Sequence, residues 1–170
     1  STTFKINNTS NNTISSLKAS NTIFKAYQFK PLLKFLNSDS RRLLVADEVG
    51  LGKTIEAGHI MLELMARHEL RNAIIICPKS LQEKWQLELK EKFNLSFKIY
   101  ESANEFRTDL KEQGATVKAI VNYEKIRLPK KGLGLFQIIE ETGLSLDFVL
   151  CDEAHRLRNH TTQTYKGAKK

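Results

Sequence analysis

Short apolar runs alternate with amphipathic segments along most of the chain, and this alternation limits the folds that are open to it. Runs of four or five apolar or nearly apolar residues are typical of strands that are buried on both faces of a sheet. The predicted strands are LLVA (43–46), AIIIC (73–77), FKIY (97–100), VKAIV (117–121) and FVLC (148–151). The pattern predicts an α/β fold in which helices cover both faces of a mainly parallel sheet.

The segments between these runs carry apolar residues at helical spacing. Examples are Leu81, Trp85 and Leu89, which we interpret as the buried face of one helix. Two further helices are predicted near 103–113 and 133–142, closed by Gly114 and Gly143, and others near 23–36 and 60–65. Ligands of parallel sheets bind where the strands end, so the residues that follow each strand are the informative ones.

Length and composition limit the number of domains and the class of protein. At 170 residues the chain has room for one domain with a sizeable core. Residues 1–22 are rich in Ser, Thr and Asn and are predicted to be a weakly ordered segment, which leaves 23–170 as the domain. Because the chain lacks an initiating Met and an apolar signal core, we expect either a processed protein or a piece of a longer one, and we favour the second interpretation. No apolar run approaches the roughly 18 residues of a membrane span, and two cysteines that end apolar runs suggest buried thiols and a cytoplasmic setting.

The net charge of +8 is concentrated at the two ends of the chain. Residues 1–40 carry five lysines and one aspartate, and residues 156–170 carry five basic residues and no acid. The middle of the chain is nearly neutral, with 17 basic and 18 acidic residues over 41–155. Basic ends are compatible either with solvated tails or with contacts to phosphate, and the charge alone does not separate the two.

A glycine-containing turn joins the first predicted strand to the next helix. It reads DEVGLGKT (47–54). Gly50 and Gly52 allow backbone N–H groups to approach a phosphate chain, and the helix N-terminus adds its positive end. Lys53 can reach the terminal phosphates, and the Thr54 hydroxyl can ligate Mg²⁺. The turn therefore predicts a nucleotide-phosphate site of the P-loop type.

This turn has two other interpretations. The strict P-loop consensus has glycine where this chain has Asp47, so the motif alone also fits an ordinary glycine-rich turn. The position of GKT between a strand and a helix favours the phosphate site. A dinucleotide-binding fold would need a further glycine at position 55, where the chain has Ile, and that fold is disfavoured.

Two adjacent carboxylates, Asp152 and Glu153, follow the last predicted strand. An acid at the end of an apolar strand can hold the Mg²⁺ that bridges nucleotide phosphates. The neighbouring acid can then orient or deprotonate an attacking water. Such a pair also occurs as an ordinary charge pair at a helix N-terminus. Its combination with GKT about a hundred residues upstream favours nucleotide hydrolysis.

Four segments together carry a family likeness: ADEVGLGKTIEAG (46–58), IIICPKSLQEKWQLEL (74–89), IVNYEKI (120–126) and FVLCDEAHRLRN (148–159). In order and spacing they resemble motifs I, Ia, Ib and II of the superfamily-two helicases. More narrowly, they resemble Swi/Snf-type translocases of double-stranded nucleic acid, in the bacterial branch that includes the RNA-polymerase-recycling ATPase. In that family aspartate is usual at the position of Asp47. The resemblance implies the first RecA-like lobe of a P-loop NTPase.

The resemblance also implies a role for each matching residue. The ATP-binding set would be Gln28, which reads adenine, with Asp47, Glu48, Gly50, Leu51, Gly52, Lys53 and Thr54. Mg²⁺ would be held by Thr54 and Asp152, and the catalytic residues would be Lys53, Asp152 and Glu153. His155 would couple the nucleotide to a second lobe. Surface or core positions are the alternative for Gln28 and His155.

Motifs Ia and Ib lie along the nucleic-acid backbone in this family. The matching residues are Pro78, Lys79, Ser80, Asn122 and Tyr123. They follow predicted strands and include hydroxyl and lysine donors that suit phosphate oxygens. Trp85 and Leu81 are interpreted as helix core and not as groups that stack on bases.

Motif III and the second lobe of the family do not occur in these 170 residues. In the family's strand order, the strand that carries motif III lies between the strands ending at Ala46 and Cys151. We therefore expect a gap between these two strands, or a strand from another chain there, because open strand edges pair readily. Without the second lobe's arginines, the isolated chain is expected to be inactive while the longer protein hydrolyses ATP.

The resemblance implies an ATP-dependent translocase on duplex DNA. Its partners would be duplex DNA, the second lobe, and RNA polymerase or another DNA-bound protein, with no membrane involved. Two alternatives stay open at this point. One is a strand-separating DEAH-type helicase on RNA or DNA, and the other, for the isolated chain, is a non-catalytic module that binds nucleotide or a partner.

Overall fold

The computed structural model describes residues 52–113, 116–123 and 134–153. Within these residues the elements alternate along the chain between helix and strand. The polar segment 1–22, the helical segment 23–36 and the strand expected at 43–46 lie outside the described residues. The predictions made for them are therefore not tested by the structure.

The described elements have the following bounds. They are α1 (Lys53–Ala66), β1 (Ala73–Cys77), a 3-10 turn (Lys79–Leu81), α2 (Gln82–Phe93), β2 (Lys98–Ile99), α3 (Ala103–Gln113), β3 (Lys118–Asn122), α4 (Leu135–Thr142) and β4 (Phe148–Cys151). The predicted bounds of β1, α3 and β4 are confirmed. Gly143 ends α4 as predicted: its φ is 65°, and its N–H donates to the Glu140 carbonyl at 3.2 Å. No helix in the described part of the chain is both long and apolar enough to cross a bilayer.

The four strands form one sheet in the order β2-β3-β1-β4, and every pairing is parallel. In the centre of the sheet, Ile75 is paired with Ile120 on one side and with Leu150 on the other. The predicted mainly parallel sheet is confirmed. Because the strands are parallel, their carboxyl ends, including those of β1, β3 and β4, lie at the same edge.

Helices cover both faces of this sheet, as the sequence predicted. Ala73, Ile75 and Cys77 of β1 belong to a core that includes residues of α1 and α2. Ile74 and Ile76 point the other way, into a second core that includes residues of α3 and α4. All five residues are at most 1% exposed. Burial on both faces explains why this strand is a continuous apolar run and not an alternating one.

Asn72 joins the amino ends of three strands through its polar groups. Its side-chain oxygen accepts from the Val117 N–H at 2.8 Å, and its side-chain nitrogen donates to the Ser145 carbonyl at 2.9 Å. Its backbone N–H donates to Asp147 Oδ2 at 2.8 Å. Strand β3 begins at Lys118 and ends at Asn122, so it is shifted by one residue from the predicted run 117–121. The Val117 N–H is bound to the Asn72 side chain instead.

Strand β2 is shorter than the predicted run of 97–100, with only Lys98 and Ile99 in the ladder. The Phe97 carbonyl accepts a hydrogen bond from the Gln86 side chain of α2 at 2.8 Å. Phe97 and Tyr100 are both buried, in the two opposite cores. The apolar ends of this run are therefore explained by packing on both faces of the sheet.

Strand β4 lies at one end of the described strand order, and Val149 on it is 46% exposed. The sequence analysis expected a gap between this strand and the strand that ends at Ala46. Because 43–46 lies outside the described residues, the expected gap stays a prediction.

Gly58 of α1 lies directly against the Phe93 ring of α2. A Cβ atom at this position would lie 2.3 Å from Cε2 of Phe93 and 2.5 Å from two other ring atoms. Phe93 is only 2% exposed, so its ring has little room to move. The glycine is required by packing, since the helix itself would favour alanine.

We expect Gly58→Ala to lower the free energy of unfolding by about 1–3 kcal/mol, because the methyl group overpacks the helix interface. Urea denaturation of the purified chain measures this change. The same substitution in a Phe93→Leu background should cost less, because the smaller side chain removes the clash. An equal loss in both backgrounds would show that the Phe93 ring is not the obstacle.

Candidate functional site

The amino end of α1 and the carboxyl end of β4 meet at the edge of the sheet where the strands end. Lys53 begins α1, and its Nζ lies 3.3 Å from Oδ1 of Asp152, which directly follows β4. The two residues are 99 positions apart in the chain. The structure therefore brings together the lysine of the predicted phosphate turn and the acid of the predicted metal site.

Gly52 sets the start of α1. Its φ of 94° is in the left-handed region, which glycine adopts without strain. The Gly52 carbonyl accepts the first helical hydrogen bond, from the Glu56 N–H at 2.9 Å. The N–H groups of a helix's first turn have no intrahelical acceptor and carry the positive end of the dipole. This end of α1 can therefore hold an anion.

The Asp152 side chain is 8% exposed and accepts three hydrogen bonds. Besides Lys53, Oδ1 accepts from the Glu153 N–H at 2.9 Å, and Oδ2 accepts from Nε1 of Trp85 at 3.0 Å. A buried carboxylate is stable only with such partners. Both oxygens of the acid thus have fixed neighbours.

The backbone of Asp152 is also hydrogen-bonded, through both its N–H and its carbonyl. Its N–H donates to the Ile76 carbonyl at 2.8 Å, which extends the pairing of β4 with β1 by one residue. Its carbonyl accepts a hydrogen bond from the Tyr123 hydroxyl at the end of β3. Burial is the main cause that raises the pKa of Tyr123, so the hydroxyl keeps its proton as a donor. Three adjacent strands therefore fix the position of this acid.

Glu153 follows in a left-handed backbone conformation with φ of 54°. Such a conformation costs a residue other than glycine roughly 1–3 kcal/mol. Glu153 is partly buried, and it lines the same cavity as Lys53 and Thr54. The turn thus presents two consecutive acids, one anchored in the sheet and one at the cavity wall.

A cavity of ≈ 190 Å³ lies between α1, α2 and the end of β4. It is lined by Gly52, Lys53, Thr54, Ile55, Leu81, Lys84, Trp85, Glu88, Lys92, Asp152 and Glu153. The lining includes every residue of the predicted catalytic and metal sets. Lysines and acids both face the space, as an anionic ligand with a divalent cation would require.

The hydroxyl of Thr54 and the carboxylate of Asp152 are hard oxygen ligands at one cavity. Mg²⁺ is bound in proteins by one or two such ligands together with water and phosphate oxygens. The donor set therefore fits Mg²⁺, and it contains no thiolate or imidazole that would favour zinc.

The predicted nucleic-acid residues fall into two groups. Lys79 and Ser80 are exposed in the turn that follows β1, and Lys79 Nζ lies 4.0 Å from Oε2 of Glu101. Pro78 is buried at the start of that turn. Asn122 and Tyr123 at the end of β3 are 4% and 6% exposed. Of the five predicted nucleic-acid residues, only Lys79 and Ser80 are therefore exposed to solvent.

Several predicted site residues lie outside the described residues. They are Gln28, Asp47, Glu48, Gly50, Leu51 and His155. Their roles stay predictions.

Trp85 has a second role besides the core position that the sequence predicts. Its ring is 4% exposed and packs in the core with α1, as predicted. Its indole N–H also donates to Asp152, 67 residues away. A buried indole needs an acceptor, and the polar residues that follow β4 were available candidates.

The carboxylates also affect Cys77 at the end of β1. Burial, followed by the negative charges of Asp152 and Glu153, raises the pKa of this thiol from 9.0 to about 12. The protein therefore favours the neutral thiol. This effect stabilises the fold below pH 9.0, and it is lost as the pH rises towards about 12.

Residues 13–170 match the family model described as the SNF2-related domain. The chain belongs to this family. The match covers all four of the segments that suggested the Swi/Snf-type helicases, and it confirms that resemblance.

Curated relatives of this SNF2-related domain include two bacterial proteins. It is 32% identical over 140 residues to "Uncharacterized ATP-dependent helicase YqhH" of Bacillus subtilis, an alignment of 82% of the chain and 23% of that protein. It is 34% identical over 126 residues to "RNA polymerase-associated protein RapA" of Haemophilus influenzae, covering 71% of the chain and 13% of that protein. The chain thus spans less than a quarter of the length of these relatives.

Among solved structures, the domain is similar to the "Sulfolobus solfataricus SWI2/SNF2 ATPase core in complex with dsDNA". The TM-score is 0.65 at 21% identity, and the match covers 89% of this chain and 30% of that one. This likeness confirms the α/β fold of a RecA-like lobe.

We expect the carbon chemical shift of Cys77 Cβ, followed by NMR, to show no ionisation at pH 9.0, where an ordinary thiol is half ionised. The chain unfolded in urea serves as the control and should titrate there. Asp152→Asn removes one negative charge and should lower the pKa of Cys77. A native Cys77 that is half ionised at pH 9.0 would contradict the described burial and charge.

Proposed function

We propose that this SNF2-related domain is the ATP-binding lobe of a nucleic-acid-stimulated ATPase that translocates on duplex DNA. The observation that carries the proposal is the contact between Lys53 and Asp152, at one cavity with Thr54 and Glu153. Phosphoryl transfer needs a lysine for the phosphates, oxygen ligands for Mg²⁺ and a group that activates water. All three lie at this cavity.

The proposal assigns a task to each of four residues at the cavity, which are Lys53, Thr54, Asp152 and Glu153. The Lys53 ammonium exchanges the Asp152 carboxylate for the β- and γ-phosphates of ATP, and the amino end of α1 holds the same phosphate chain. Thr54 and Asp152 would hold Mg²⁺, and the ion would supply positive charge to the phosphates. Glu153 accepts or directs a proton of the attacking water.

The remaining roles rest on the family resemblance. Gln28 would read adenine, the backbone of 47–52 would cradle the phosphates, and His155 would couple the nucleotide to a second RecA-like lobe. The lengths of the relatives support a longer protein that contains such a lobe. Its arginines would supply about 10³- to 10⁵-fold in turnover, so the isolated chain should bind nucleotide without hydrolysing it at a useful rate.

Duplex DNA is the proposed nucleic acid. Support comes from the similar SWI2/SNF2 ATPase core of Sulfolobus solfataricus, which was solved in complex with double-stranded DNA. The similarity to a protein named as associated with RNA polymerase supports a partner of that kind. The exposed Lys79 and Ser80 would contact the DNA backbone, because a lysine and a hydroxyl both suit phosphate oxygens.

We expect Lys53→Ala in the full-length protein to reduce DNA-stimulated ATP hydrolysis to background, because the terminal phosphates lose their cation. Phosphate release measures the rate. Lys90→Ala removes an exposed lysine of α2 outside the cavity lining and should leave the rate unchanged. Turnover at the wild-type rate in Lys53→Ala would refute the assignment.

We expect Glu153→Gln to retain nucleotide binding and to lose hydrolysis, because the amide keeps the size of the side chain and cannot accept the proton. Equilibrium binding of labelled ATP and single-turnover hydrolysis separate the two steps. Hydrolysis that survives at the wild-type rate would assign the proton transfer to another group.

We expect Lys79→Ala to weaken duplex DNA binding by an amount that does not depend on sequence, and to reduce the slope of log affinity against log salt by about 1. Lys111→Ala, at the end of α3 and hence near the opposite edge of the sheet, is the matched control. An unchanged salt slope would exclude a phosphate contact by Lys79.

Strand displacement on a labelled duplex would distinguish a strand-separating helicase from a translocase.

A further inference from the structure

The hydrogen bond between Trp85 and Asp152 connects two elements that have separate tasks in the proposed function. Trp85 is on α2, in the segment that resembles motif Ia, whereas Asp152 belongs to the segment that resembles motif II. The nitrogen and Oδ2 are 3.0 Å apart, and both residues are at most 8% exposed. Water therefore has little access to compete for this bond.

The two oxygens of the Asp152 carboxylate have different neighbours. Oδ2 is bound to Trp85, whereas Oδ1 lies beside the Lys53 ammonium and the Glu153 N–H. A carboxylate turns readily about its Cβ–Cγ bond unless its oxygens are held. With Oδ2 fixed from the side of α2, Oδ1 is the oxygen that faces the amino end of α1. That is where a phosphate-bound metal ion would lie.

We propose that Trp85 is a positioning residue for the Mg²⁺ ligand Asp152, holding Oδ2 so that Oδ1 faces the metal. This inference rests on the proposed function. Partners that orient a metal ligand commonly change metal affinity or activity by about 10- to 100-fold when they are removed. The loss of the indole donor should therefore weaken the part of nucleotide affinity that depends on Mg²⁺.

Trp85→Phe is the direct test, because phenylalanine keeps an aromatic ring in the core and has no N–H. The affinity of the purified chain for a labelled non-hydrolysable ATP analogue is measured twice, with Mg²⁺ and with a chelator. We expect the affinity with Mg²⁺ to fall by about 10- to 100-fold, and the affinity in chelator to stay unchanged. Phe93→Leu is the matched control, since it reduces another buried aromatic of α2 that does not line the cavity.

A second variant separates the hydrogen bond from packing. Trp85 is the chain's single tryptophan, so a benzothienyl analogue, in which sulfur replaces the indole N–H, can be placed at this position alone. It preserves the shape of the ring and lacks the donor. The same selective loss with this analogue would support the proposal even if Trp85→Phe folds poorly.

Three other results would overturn the proposal. The Mg²⁺-dependent affinity could stay at its wild-type value in both variants, which would make the hydrogen bond dispensable. The affinities with and without Mg²⁺ could fall by the same factor in the Trp85 variants. Phe93→Leu gives the pattern expected from a change in packing alone, so a match to that pattern would make Trp85 a packing residue only. Failure of the wild-type chain to bind the analogue in either condition would refute the proposed nucleotide site itself, and the inference would fall with it.

Discussion

The buried carboxylate of Asp152 is the group on which the rest of the site depends. A charged oxygen pair that is 8% exposed must find donors within the protein, and here the donors come from α1, α2 and the turn itself. The backbone of the same residue is bound to β1 and to Tyr123, which directly follows β3. The acid can occupy this position only if the parallel sheet is assembled in its observed register, so the fold and the site form together.

The ion pair between Lys53 and Asp152 is partly screened by solvent, which suits a lysine that is proposed to exchange this carboxylate for phosphate. The lysine side chain is 22% exposed and the nitrogen lies 3.3 Å from its partner, so solvent screens part of the attraction. The pair compensates the charge of the buried acid while leaving the lysine within reach of the cavity. A triphosphate carries more negative charge than one carboxylate and can therefore compete for the ammonium.

Much of this architecture could be predicted from the sequence, because the strongest signals are local. The bounds of β1 and β4 follow from apolar runs that both faces of a sheet require, and GKT and DEAH identify the ends of elements that the fold brings together. Contacts made by polar side chains across the sheet could not be predicted. The bonds of Asn72 with Val117 and Ser145, and that of Trp85 with Asp152, depend on which strands are neighbours and in what register. No periodicity along the chain carries that information.

The placement of Trp85 along α2 has a mechanical consequence. The solvent-facing turn with Lys79 and Ser80 runs directly into this helix, and Trp85 lies on its first turn, about 4.5 Å along the axis from Gln82. Between them lie the end of the 3-10 turn and the first turn of α2. A displacement of this short segment would change the 3.0 Å distance between the indole nitrogen and Oδ2 of Asp152. The solvent-exposed turn and the buried carboxylate are thus connected through one turn of helix and one hydrogen bond.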